Sequence, residues 1–139
     1  MPVQLGPRLQ AFFDEPIPIV IGTTRRDGSV LMHPLWFEYR QEDGLIWLNG
    51  GPKRAWFKNL RRDGRVTLQL VDPKNMFRQA LIEGRLVDTT FDGADEHIDR
   101  LSQRYQGGPY RNPKVERMIV RVRPERIGGF DVGQPWDVN

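Results

Sequence analysis

Asn49-Gly50-Gly51-Pro52-Lys53-Arg54-Ala55-Trp56-Phe57-Lys58-Asn59-Leu60-Arg61-Arg62-Asp63-Gly64-Arg65-Val66 is the stretch on which the fold turns. Before it, Leu45, Ile46, Trp47 and Leu48 form a short apolar run that reads as a strand stopping at the glycines. After it, Val66, Leu68 and Leu70 alternate with Thr67, Gln69 and Val71 as another strand. Between the two, Trp56, Phe57 and Leu60 lie on one side of a helix of about three turns over residues 53–62, and Gly64 suits the residue that ends it. The start of such a helix offers unpaired backbone N–H groups and a partial positive charge, glycines let a phosphate approach the backbone, and Lys53 and Arg54 add full charges there. A phosphorylated ligand is therefore expected at this junction.

Working outward, Pro16 and Pro18 force an extended start to a first strand over residues 17–24. Asp27-Gly28 turns it into an antiparallel partner over residues 29–39, and Asp43-Gly44 turns that into a third strand over 45–49, a three-stranded meander. The fourth strand passes through Asp72-Pro73-Lys74-Asn75 into a fifth over residues 76–88, in which Gly84 marks a bulge or a close backbone approach. Asp92 is an N-cap candidate for an amphipathic helix carrying Phe91, Ala94, Ile98, Leu101 and Tyr105 on one face. A turn-rich loop over 106–113 leads to a sixth strand over 115–123, and a tail with Gly128, Gly129 and Trp136 closes the chain. A short helix over 5–13 opens it. The pattern predicts one mainly β domain over residues 1–139 with its core at about 14–127: six antiparallel strands in a small Greek-key barrel with a few short helices.

Composition narrows the chemistry. The chain has no cysteine, which excludes disulfides, thiolate metal sites and thiol nucleophiles, and its two histidines, His33 and His97, lack any metal-binding spacing. No apolar run reaches the roughly 18 residues of a membrane helix, and the first residues read as no secretory signal, so a cytoplasmic protein without membrane contact is expected. The net charge is only +3, yet six basic residues against one acidic fall within residues 53–65. Such a block serves a solvated helix face, a nucleic-acid footprint or a pocket for a small anion. The glycine turn in front of it favours the anion, and aromatics that alternate into a core disfavour nucleic acid, which needs exposed rings for stacking. Trp47 and Phe37 read as core, His97 as surface beside Glu96, and Arg117, Arg121 and Arg123 as a solvated strand face.

Three motifs carry a resemblance: Asp27-Gly28 leading to His33-Pro34-Leu35-Trp36-Phe37, the run from Lys58-Asn59-Leu60 to Arg65-Val66, and Asp72-Pro73 leading to Phe77-Arg78 and Glu83-Gly84-Arg85. Together, in this order, they resemble the pyridoxamine-phosphate-oxidase-like flavin and deazaflavin split β-barrels, and among them the reductases that use coenzyme F(420), with an FMN-binding oxidase or reductase, or a non-catalytic flavin carrier, as the alternatives. The resemblance implies a cofactor ring along the second strand at Met32, Pro34, Leu35 and Trp36, and a phosphate end at Asn49, Gly50, Lys53, Arg54 and Lys58. It implies a homodimer with the groove between subunits, where Arg78, Tyr105 and the tail near Trp136 would belong to the neighbour's site, and a small organic acceptor as substrate. Trp56 stands where the family often has a lysine, and either covers the ring or fills the core. His33 and Tyr105 are the candidate proton donors.

Overall fold

A computed structural model describes residues 3–139; Met1 and Pro2, part of the segment read for targeting signals, lie outside the described residues. The chain runs α1 (Pro7–Asp14), β1 (Ile19–Thr24), β2 (Val30–Leu35), β3 (Phe37–Arg40), β4 (Leu45–Gly50), α2 (Ala55–Asp63), β5 (Arg65–Asp72), β6 (Asn75–Thr90), α3 (Ala94–Gln106), β7 (Met118–Asp131) and β8 (Gln134–Pro135). The strands form a single antiparallel sheet in the order β2-β1-β5-β6-β7-β4-β3, with β8 paired to the end of β7.

That order contains the device that makes the site. Residues 29–39 alternate as one strand in sequence, but the structure breaks them at Trp36: Val30–Leu35 pairs with β1 at one edge of the sheet, and Phe37–Arg40 pairs with β4 at the other. One run of chain thus bridges the two edges, so the sheet must curl on itself and remain split at the bridge. Counted as one strand, β2 and β3 leave the six expected strands plus the short β8. The expected meander becomes two hairpins on opposite sides of the seam.

The curl encloses a core in which Phe12, Phe13, Phe37, Ile19, Ile21, Leu48, Leu68 and Leu70 are fully buried. Phe13 meets Phe37 edge to face at 6.1 Å, so α1 plugs one end of the barrel beside the seam. Gly84 does mark a bulge: the register of β6 against β7 shifts between Glu83 and Gly84, and a Cβ there would lie 2.5 Å from the carbonyl oxygen of Arg123.

Several expectations change. The helix expected at Asp92 is capped instead by Gly93 in the left-handed region, with φ 75°, while the Asp92 N–H is held by Thr90 Oγ1 at 3.1 Å in the preceding turn. The sixth strand starts at Met118 and continues to Asp131, so Gly128 and Gly129 lie inside β7 opposite Leu81 and Ala80 and not in a tail. Trp136 belongs to this chain's own core: it is 6% exposed, stacks on Phe12 at 5.1 Å and donates its indole N–H to the Gln79 carbonyl at 2.8 Å. It has no face left for a neighbour's site.

The tail also starts α1. No side chain of its own caps this helix; the Asp137 carboxylate instead accepts the backbone N–H groups of Arg8 and Leu9 at 2.9 and 3.0 Å. An acidic group at that position satisfies two orphan donors and faces the positive end of the helix dipole. Asp137→Ala is expected to lower stability by about 1–2 kcal/mol, the scale of a lost N-cap, while Asp137→Asn retains much of it. Urea unfolding midpoints of the two variants check this.

Candidate active site

The seam opens a cleft. Trp36, at the changeover between β2 and β3, stacks on Tyr105 at 5.5 Å with planes 7° apart and meets Tyr110 edge to face at 6.3 Å. Beside it lies a slot of about 480 Å³ walled by Pro34, Leu35, Trp36 and Tyr110, with Asn49 and Arg117 as polar wall groups. Tyr110, Asn112 and Arg117 also line a second cleft of about 590 Å³ whose far side is Gly51, Lys53 and Arg54. Across Pro52 from this is a third, about 670 Å³, among Arg25, Arg26, Lys58, Arg61 and Arg62. An apolar, aromatic slot thus passes through shared walls to a strongly cationic end.

The cationic end is the expected helix start, with changes. Helix α2 begins at Ala55, Arg54 takes the N-cap position, and no side chain caps it, so the first-turn N–H groups keep the orphan character that suits an anion. Lys53 and Arg54 are exposed beside the second cleft, whereas Lys58 lies a turn along the helix in the third. Gly50 does not present bare backbone: it is buried, pairs with Met118, and a Cβ on it would lie 2.5 Å from Trp56 Cζ2. Gly50 makes room for Trp56, not for a phosphate. Trp56 correspondingly is 3% exposed and fills the core, leaving no surface to cover a ring.

Along the second strand, Pro34, Leu35 and Trp36 line the slot, but Met32, 57% exposed and two residues before Pro34 on the same side of β2, lines none of the three clefts. Arg78 sits beside α1, its guanidinium bonded to Glu15 at 2.5 Å and Asp72 at 3.2 Å and lying over the Phe12 ring at 4.3 Å. With Asp131 at 3.8 Å, three carboxylates already neutralise it. Tyr105 donates its hydroxyl to the Ile17 carbonyl at 2.9 Å and is approached by the Phe37 N–H at 3.4 Å; burial pushes its pKa up. Its hydroxyl ties the segment just before β1 to β3 across the seam, so it anchors the slot, with its proton directed at the Ile17 carbonyl. His33 alternates with Met32 and Pro34 on β2, on the side of Leu31 and Leu35 that packs toward the core, and lines none of the three clefts.

Sequence reading missed the polar network behind the slot. His97 is fully buried, not on the surface. Its Nδ1 is 3.1 Å from Asn49 Nδ2, which also donates to the Ala94 carbonyl at 2.9 Å, while Asn49 Oδ1 accepts from Arg117 Nε at 2.7 Å. These partners assign the amide orientation and put the imidazole proton on Nε2, 3.2 Å from Glu38 Oε1 but off the line of a well-formed hydrogen bond. Glu38 is bridged by Arg100 at 2.6 Å. Trp47, expected in the core, is half-buried between the guanidinium groups of Arg40 and Arg121 at 4.7 and 4.5 Å and leans edge-on to His97. The signal for His97 was its spacing: Ala94, His97, Ile98 and Leu101 fall at i, i+3, i+4 and i+7, one helix face.

Charge follows from these contacts. Burial works against ionising Glu38, but His97 and Arg100 outweigh it and hold its pKa at about 2. Burial, with Arg100 and Arg40 nearby, lowers the His97 pKa despite the pull of Glu38, so the imidazole is neutral. Both depress stability in acid. Below about 6.5, the ordinary value for histidine, the unfolded chain takes up a proton that native His97 resists. Stability contributed by Glu38 is present above about 4.5 and is lost as the pH falls toward about 2. Thermal midpoints measured from pH 7 downward are expected to fall in these two windows, and His97→Gln to flatten the upper one.

A curled sheet split where one strand changes partners, with an aromatic slot at the split and cations at its end, defines a split β-barrel. A family model described as pyridoxamine 5'-phosphate oxidase matches residues 5–130, and the chain belongs to that family of flavin-binding oxidoreductases. Solved structures agree on the fold. An F(420) reductase superposes with TM-score 0.76 at 24% identity, covering 85% of this chain and 94% of that one. A conserved hypothetical protein from Mycobacterium tuberculosis gives 0.69 at 23%, covering 97% and 86%, and an FAD-binding protein from Mesorhizobium loti 0.61 at 15%, covering 91% and 96%. No curated protein sequence matches.

Proposed function

We propose that this protein is a coenzyme F(420)-dependent oxidoreductase that passes hydride to a small organic acceptor. The observation that carries the proposal is the division of the site: an apolar slot at Pro34, Leu35 and Trp36 suited to a planar ring, then an uncapped helix start with Lys53 and Arg54, then a further cluster of Arg25, Arg26, Lys58, Arg61 and Arg62. FMN ends in one phosphate, which Lys53, Arg54 and the helix start suffice to hold. A second cation cluster beyond them favours a coenzyme whose anionic tail continues past its phosphate, as the oligoglutamate tail of F(420) does. The F(420) reductase with this fold points the same way.

When bound, the coenzyme supplies the hydride. The work of the chain is positional: Trp36, fixed by stacking on Tyr105, sets one wall of the slot, and Asn49, whose amide is fully bonded, sets the polar one. The family resemblance further proposes a homodimer in which a second subunit closes the groove. Titration of the purified protein with F(420) and with FMN, followed by coenzyme fluorescence, tests the choice. F(420) is expected to bind at least about tenfold more tightly, the scale of one extra charged contact. Tighter binding of FMN would reverse the assignment, and binding of neither would remove the enzyme reading.

A further inference from the structure

We propose that Arg117 is an oxyanion-recognition residue, and that what it holds is the anionic edge of a planar, conjugated ligand. The sequence places Arg117 with Arg121 and Arg123 on one strand face, but the structure separates them. Arg121 is paired with Asp88 at 2.8 Å and Arg123 with Glu125 at 3.6 Å. Arg117, immediately before β7, has no carboxylate within ion-pair distance among the described residues, although it is half-buried.

Its surroundings explain the geometry and leave the charge without a direct partner. Nε donates to Asn49 Oδ1 at 2.7 Å, and the guanidinium lies over the Tyr110 ring at 5.2 Å, with Nη1 3.5 Å from the Tyr110 hydroxyl. Asn49 is in turn locked by Ala94 and the buried His97, so the fork is held by its inner nitrogen while its outer edge is left to the clefts it lines: the slot, the cleft toward Arg54, and a smaller one walled by Asp95, Glu96 and Glu116, none of them in ion-pair contact with it. Burial pushes the guanidinium pKa down and Arg54 adds to the positive potential, while Asp95 and the Tyr110 hydroxyl offset part of it without Asp95 reaching ion-pair distance. A half-buried, pre-oriented guanidinium with no carboxylate in ion-pair contact is matched by a ligand carboxylate, whose two oxygens fit the fork. The Tyr110 ring, which borders both the slot and the cleft beside it, offers a flat face that matches a planar unsaturated body next to the place given to the coenzyme ring. The oxyanion has two possible sources, a separate acceptor or an anionic edge of the coenzyme ring. Its catalytic meaning rests on the reductase reading above, but its chemistry does not.

The probes are benzoate and its neutral isostere benzamide, titrated into the full chain by ligand-observed NMR without coenzyme. Benzoate is expected to bind at least about tenfold more tightly, with Arg117→Gln bringing the two within about twofold and Arg117→Lys restoring part of the difference. If the oxyanion comes from the acceptor, benzoate still binds in saturating F(420), and Arg117→Gln leaves the F(420) Kd within about threefold. If it comes from the coenzyme, F(420) displaces benzoate and the variant weakens coenzyme binding by more than about tenfold. Either result supports Arg117 as the recognition residue. Equal affinity of the native protein for benzoate and benzamide, together with an F(420) affinity unaltered in Arg117→Gln, would overturn it. Should F(420) fail to bind at all, the reductase reading falls while the benzoate comparison still decides this one.

Discussion

Trp136→Ala is expected to lower the unfolding free energy by about 3–5 kcal/mol, the cost of truncating a large buried aromatic. Three contacts disappear together. The indole stacks on Phe12, donates to the Gln79 carbonyl in β6, and carries the Arg8 guanidinium 5.7 Å above its ring. Loss of the indole N–H also leaves the Gln79 carbonyl without that donor, and the void adjoins Phe12 at the heart of α1. The tail would then lose its hold, and Asp137 would no longer sit over the first turn of α1. Denaturant unfolding reads the loss directly. Because Trp136 faces its own core and lines none of the three clefts around the seam, coenzyme affinity of the folded fraction should stay within about twofold. A large fall in affinity with stability intact would instead return the tail to a neighbour's site.

The elements were legible where local pattern decides them. Alternation marked the strands, Gly84 marked the bulge, and Trp56, Phe57 and Leu60 marked the inner side of α2, where all three are buried. What could not be read was partner choice. Nothing in residues 29–39 announces that Leu35 and Phe37 pair with opposite edges of the sheet, because alternation continues through Trp36 and only the closure of the barrel separates the two halves. The later half of β7 was hidden for a related reason. Gly128 and Gly129 look like loop residues, and it is pairing with Leu81 and Ala80 on β6 that makes them strand.

The site divided along the same line. Lys53, Arg54 and the helix start could be found because charge and turn chemistry are local. Gly50 was misread because the space a glycine opens can admit a side chain of its own chain as readily as a ligand, and here Trp56 takes it. Arg117 was unreadable in principle: whether an arginine is neutralised depends on which carboxylates the fold brings near it. Asp88 reaches Arg121 from its paired position on the neighbouring strand β6, and no carboxylate comes within ion-pair distance of Arg117 among the described residues.

Arg54→Ala is expected to raise the coenzyme Kd by roughly 10- to 150-fold, or about 1.5–3 kcal/mol, the range for a lost charge-assisted hydrogen bond to phosphate. The position isolates the effect. Arg54 is exposed, its backbone is extended at φ −67° and ψ 135°, and its side chain caps nothing, so removal should leave the fold intact. Its carbonyl still accepts the Lys58 N–H at 3.0 Å, so α2 starts at the same place in the variant. The phosphate contact should be partly screened, and the gap between native and variant affinities should narrow as salt is raised. Lys58→Ala separates the two coenzymes. Lys58 lies with Arg25, Arg26, Arg61 and Arg62 beyond the phosphate end, so its loss should weaken F(420) by more than it weakens FMN. An Arg54→Ala protein that binds F(420) as tightly as the native one at low salt would show that the start of α2 does not hold the coenzyme's anionic end.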